Sequence, residues 1–207
     1  MAEISADSRT DGKRASTKAA NRRAILTAAR RVFAVIGYEA TTVRDIIRET
    51  ELASGTFYNY FKSKEEVFQA IAEDSTHRFR AHLSEVRERA SSLEDYIEGG
   101  FRAYFSFIAE ENRDAIREGA PHIALMGVRV DTPEMLAVAD EIRADLERTL
   151  SKDVAVGLDL EYLTAASIGI AREMGDRMLQ RRPLDVEGTT KFAASLILAG
   201  ARAMAGK

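Results

Sequence analysis

The sequence predicts an all-α fold of about nine helices, with a small N-terminal helix-turn-helix domain and a larger C-terminal helical domain. Three observations carry this reading of the 207 residues. Apolar residues recur at three- and four-residue spacing through most of the chain, and no segment keeps the period of two that a half-buried strand requires. With 3 Pro and 13 Gly, turn-formers are too few for a sandwich that turns about every 8–12 residues. Helix start and stop signals fall between the periodic stretches, where they should.

Composition narrows the function. Hydrophobic residues make up 45% and charged residues 30%, which is globular rather than disordered. Cysteine is absent, which removes disulfides, thiol nucleophiles and thiolate-held metals and fits a cytoplasmic protein. No apolar run approaches the ~20 residues of a membrane span, and MAEISADSRTDGKRAS has no apolar stretch of a secretory signal; no membrane partner is expected. Net charge is −3, unevenly spread: residues 13–48 carry 9 basic and 2 acidic side chains. A basic head on an acidic body is suited to meeting a polyanion.

In chain order, residues 1–16 are polar and aperiodic and read as a flexible arm. From Thr17 a helix carries Ile25, Ala29, Val32, Phe33 and Ile36 on one face, and Gly37 stops it. Thr41 or Thr42 caps a short helix over 43–49, with Asp45 near its positive end. A second short helix is expected over roughly 54–61. Ser63 and Glu66 form a capping box that opens a long helix over 64–88. Ser91 and Ser92 precede a helix over 93–111, and Gly119-Ala120-Pro121 breaks a shorter helical stretch. Thr132-Pro133-Glu134 opens a helix to about 152, Asp159 caps one to about 181 before Pro183, and Asp185 caps the last, to about 204. The helix-turn-helix domain is placed at 17–63 and the C-terminal domain at 64–207.

The informative segment is TTVRDIIRETELASGTFYNYFKSKEEVF, residues 41–68. Two short helices about four residues apart, after an amphipathic helix that can brace them, make a helix-turn-helix arrangement. The second presents Ser54, Gly55, Thr56, Tyr58, Asn59 and Tyr60, a density of hydrogen-bonding groups that a pure core helix does not spend. Lys62 and Lys64 follow it, placed to hold phosphates.

This stretch resembles the DNA-binding domain of the tetracycline-repressor (TetR) family over roughly residues 20–70. The resemblance lies in Phe33 with Gly37-Tyr38, Thr42-Val43-Arg44-Asp45-Ile46, Gly55-Thr56-Phe57-Tyr58-Asn59-Tyr60-Phe61 and Lys64-Glu65. It implies that Thr42 and Arg44 touch phosphates, and that Ser54, Gly55, Thr56 and Asn59 face the major groove. It also implies backbone contacts for Tyr58 and Tyr60 and a phosphate contact for Lys64, with Phe57 and Phe61 packed inward. The sequence departs from the family pattern at Glu51, where a Gly is usual, and at Ala53, often a capping Ser; without that cap, Ser54 is the expected substitute.

In the C-terminal domain the aromatic stretch 101–107 admits two readings, plain core or the wall of a ligand cavity. In the second, Phe101, Tyr104, Phe105, Ile108, His122, Met126, Met174 and Met178 line a mostly apolar pocket, with Tyr104 and His122 orienting the ligand. The small residues of 165–169 and 193–203, with Leu196-Ile197-Leu198 apolar on more than one side, suit a last helix that is either central or covered by a second copy. Family resemblance favours a homodimer through residues 159–204. His77, His82 and His122 make no metal-ligand spacing, and no catalytic or nucleotide-binding motif occurs; no cofactor, metal or catalytic residue is expected. The reading is a ligand-responsive regulator, a repressor released from a palindromic double-stranded DNA operator by a small apolar or amphipathic inducer. Its competitors are a constitutive DNA-binding protein and an all-α enzyme or lipid carrier.

Overall fold

A computed structural model describes residues 7–120, 132–150 and 158–205, among which every regular element is a helix. The nine described helices are α1 Asp7–Ile36, α2 Val43–Arg48, α3 Ser54–Tyr58, α4 Lys64–Arg89, α5 Leu93–Glu111, α6 Arg113–Glu118, α7 Pro133–Thr149, α8 Leu160–Gln180 and α9 Val186–Ala205. The chain divides into two compact units, residues 1–71 and 72–207.

The first unit is built on one apolar face of α1. Ile25, Ala29 and Phe33 are fully buried, at the spacing that puts them on one side of a helix. Gly37 ends α1 with a φ of +82°, a left-handed turn that suits a residue without Cβ. The buried Thr41 hydroxyl donates to the Gly37 carbonyl at 2.6 Å, which fixes the connection. Thr42 is the cap of α2, and Asp45 completes a capping box. Ile46 and Phe57 are buried at 0% and 1% exposure.

Two boundaries differ from expectation. The arm expected over 1–16 is helical from Asp7; that stretch carries no apolar period in its sequence, so spacing does not mark it. The unit boundary lies at Ile71 rather than before Lys64. Val67, Phe68 and Ile71, on the first two turns of α4, are buried, and Phe68 closes an aromatic cluster with Phe33 and Tyr38 at centroid distances of 5.9 and 4.8 Å.

The second unit centres on α5, which buries Tyr96, Ile97, Phe101, Tyr104, Phe105, Phe107 and Ile108. It packs on α9, α8 and α7, and α8 also packs on α7 and α9. The caps fall where the sequence puts them: Ser92, Thr132 with Pro133 next to it, and Asp159 accept backbone N–H bonds at 3.0, 3.2 and 3.0 Å. Asp185 accepts from Gly188 N at 2.8 Å. Gly119, at φ +69°, ends α6. Asp145 on α7, 4% exposed, is a buried node. It accepts from Arg87 Nε of α4 at 2.8 Å, Tyr96 Oη of α5 at 3.1 Å and Arg148 at 3.1 Å. Arg87 also pairs with Glu141 at 3.3 Å.

Candidate nucleic-acid interface and ligand cavity

The short helix α3 is anchored from one side and bare on the other. Phe57 and Phe61 are buried, 6.2 Å apart between ring centroids, and the Arg22 guanidinium lies 5.6 Å over the Phe61 ring. Ser54, Gly55, Tyr58 and Asn59 are exposed, with Thr56 and Tyr60 half-buried beside them. Nothing lies within 4 Å of where a Cβ on Gly55 would sit. Packing inside the chain does not require that glycine, and its bare backbone leaves room for another molecule to approach closely. The helix ends sooner than expected, with Asn59 as its C-terminal cap.

At three positions the structure adds to the expected roles. Ser54 is the first helical residue and not the cap; Ala53 holds the cap position with no side-chain bond. Thr42 donates its hydroxyl to Asp45 Oδ2 at 2.6 Å and its backbone N–H to the same oxygen at 2.9 Å. Both Thr42 donors are therefore spent on the cap, and those bonds hold the Asp45 carboxyl below its ordinary range. A phosphate at Thr42 has to compete with Asp45 for them. Lys64 is half-buried; its Nζ donates to the carbonyls of Tyr38 and Glu39 at 2.9 and 3.1 Å and lies 4.6 Å over the Tyr38 ring. Lys64 thus ties α4 to the α1–α2 connection, a positioning role the sequence does not reveal. Arg44 and Lys62 remain exposed, and Glu51, also exposed, points away from the core.

In the second unit, α4, α5, α7 and α8 line a partly open cavity of about 140 Å³. Of the residues expected at a ligand cavity, Phe101 and Tyr104 are on its wall. Phe105, Ile108, Met174 and Met178 are not. A Cβ added at Gly175 of α8 would come 2.6 Å from Ile108 Cδ1 and 3.7 Å from Phe105 Cδ1, so those two side chains seal α5 against α8 instead. Met178 is core, at 1% exposure, and Met174 packs against the same core. His122 and Met126 lie outside the described residues. The wall includes Phe79 and Leu83 of α4 and Val138 and Ile142 of α7, which sequence reasoning missed. Their i, i+4 spacing marks buried helix faces but not which face borders a void. Burial, opposed by Arg172 and aided by Glu173, pushes the Asp176 carboxyl up to about 6.

On α8, Tyr162, Ala165, Ala166 and Gly169 are exposed, and on α9 Phe192, Leu196, Ala199 and Ala203. Tyr162 and Phe192 are 74% and 65% exposed, an apolar stripe at helical spacing on each helix. Among the described residues, no group of three His, Asp or Glu side chains is placed to hold a metal ion, and no helix is long and apolar enough to cross a membrane.

Comparison with known proteins agrees with this geometry. Residues 25–71 match the model of the bacterial regulatory proteins of the tetR family. The chain is 29% identical over 148 residues to the HTH-type transcriptional regulator TcmR of Streptomyces glaucescens, covering 70% of this chain and 65% of that protein. It is 35% identical over 100 residues to the HTH-type transcriptional repressor KstR2 of Mycolicibacterium smegmatis, covering 48% of each. The matches thus span about half to two thirds of the length of these relatives. The fold resembles the crystal structure of a TetR-like transcriptional regulator from Rhodococcus sp. RHA1, with a TM-score of 0.63 at 20% identity over 88% of this chain and 96% of that one. With a helix-turn-helix that matches the tetR-family model over 25–71 and a helical second unit of TetR-like fold, the chain is similar to the tetR family of bacterial transcriptional regulators.

Proposed function

We propose that this regulator binds a palindromic operator as a homodimer and leaves it when a small, mostly apolar molecule enters the cavity of the second unit. The observation that carries the DNA reading is α3, held by buried Phe57 and by Phe61 just beyond it, with Gly55 and Asn59 exposed and Thr56 half-buried beside them. A two-fold dimer presents two such helices to successive major grooves, about 34–36 Å apart. A ligand that favours a different spacing weakens binding by its difference in affinity for the two shapes, typically about 1–3 kcal/mol. The void in the second unit supports a ligand-responsive protein over a constitutive binder, which needs no cavity. As a regulator, the protein acts in the cytoplasm, where the DNA is.

Gel shifts with DNA from upstream of the gene test the first step. Thr56→Ala or Asn59→Ala should change relative affinity among operator variants by about 1–3 kcal/mol per lost base contact. The absence of any specific complex at moderate salt would end this reading. The dimer is tested at the α8–α9 face. An arginine cannot enter a tightly packed apolar contact without losing its hydration, so Ala199→Arg should turn a dimer into a monomer in light scattering. Wild-type protein that is monomeric at micromolar concentration would remove the dimer and the palindrome together.

A further inference from the structure

We infer that the cavity takes a compact, uncharged, ring-sized molecule carrying one hydrogen-bonding oxygen, and that Tyr104 Oη is the group that receives that oxygen. The inference rests on the ligand reading proposed above and gives it a chemical class. Size is the first argument. The void is about 140 Å³, close to the roughly 150 Å³ of a cavity known to hold benzene. It takes about six to nine non-hydrogen atoms inside it on that scale.

The polar groups of the wall are the second argument. Ser75 Oγ donates to Glu111 at 2.6 Å, Ser167 Oγ to the Leu163 carbonyl at 2.8 Å, and Tyr96 Oη to Asp145 at 3.1 Å. These three are committed, and Thr76, also on the wall, is only half-buried and so keeps access to water. Tyr104 is 8% exposed, and its hydroxyl is buried with no hydrogen-bond partner. Among the described residues Thr190 Oγ1 is in the same condition, but Thr190 is not on the cavity wall. A hydroxyl buried without a partner has lost its water and gained nothing; an oxygen on a bound molecule restores the bond. Burial, and next to it the charge of Asp176, hold the Tyr104 phenol protonated far above its ordinary range, so it donates as well as accepts.

Charge is the third argument. Among the described residues Arg172 is the one charged residue on the wall, and its charge already acts on Asp176. An entering carboxylate has to compete with Asp176 for that guanidinium while surrendering its water to Phe79, Phe101 and Phe107. An uncharged oxygen meets neither cost.

The test is calorimetric titration of the full-length protein and its Tyr104→Phe variant with phenol, toluene and benzoate at neutral pH. Phenol and toluene share a shape and differ by the hydroxyl. Tyr104→Phe should weaken phenol about three- to ten-fold, the worth of one net hydrogen bond, and leave toluene within about two-fold. Benzoate should bind wild type more weakly than phenol. The variant keeps the ring that meets Phe79 edge-on at 5.5 Å and removes an unpaired hydroxyl, so its melting temperature should equal or exceed that of wild type. Equal responses of phenol and toluene to Tyr104→Phe, tighter binding of benzoate, or no binding of any probe would each overturn the inference. Operator gel shifts on the same preparations separate the two levels. A specific operator complex with the wrong ligand pattern overturns only the ligand class; no complex at all overturns the functional reading, while the titrations still decide Tyr104.

Discussion

Asp145→Ala is expected to destabilise the second unit by about 3 kcal/mol, the low end of the range for removing one partner of a buried ion pair. Asp145 is 4% exposed and receives Arg87, Arg148 and Tyr96 from three helices. Its loss strands two groups. Tyr96 Oη, on a residue 3% exposed, is left without an acceptor, and Arg87 loses the partner that raises its pKa most. Arg87 keeps Glu141 at 3.3 Å, which is why the low end applies. Asp145→Asn retains an acceptor for Tyr96 and should cost about half as much. Urea unfolding followed by circular dichroism measures both. A difference under about 1 kcal/mol for Asp145→Ala would show that the node is solvated in solution and contributes as little as a surface pair.

Phe33→Ala is expected to cost about 3–5 kcal/mol in the first unit, the range for emptying a buried aromatic site. Phe33 is fully buried and its ring meets those of Tyr38 and Phe68 at 5.4 and 5.9 Å. No neighbour can collapse into the space cheaply: Tyr38 is tied through its hydroxyl to Glu65 at 3.3 Å, and its carbonyl is held by Lys64. Because the same cluster fixes the start of α4 against α1, operator affinity should fall with stability. Loss of thermal stability with operator binding intact would show that α3 is positioned independently of the Phe33 cluster.

The parts of the fold settled over a few residues were legible in the sequence. The bounds of α5, the caps Thr132, Asp159 and Asp185, and the stop at Gly37 all rest on side chains within four residues of the backbone group they serve. Such contacts do not depend on how helices are arranged. The helix-turn-helix was legible for a related reason: a short segment with buried Phe57 and Phe61 on one side and exposed Ser54, Gly55, Tyr58 and Asn59 on the other states its own inside and outside.

Tertiary structure decided what needed a partner distant in the chain. Lys64 looks like a phosphate contact by spacing, yet its ammonium is held by carbonyls 25 and 26 residues earlier. Phe105, Ile108 and Met178 have the composition of a pocket wall, but Gly175 lets α5 and α8 approach closely enough for the first two to seal the contact. The cavity lies one face away, where α4 and α7 bring Phe79, Leu83, Val138 and Ile142 to Phe101 and Tyr104. Periodicity tells a buried face from an exposed one. It cannot tell a filled interface from a void, because that depends on how well four separate helices fit, a property of their joint packing rather than of any one segment.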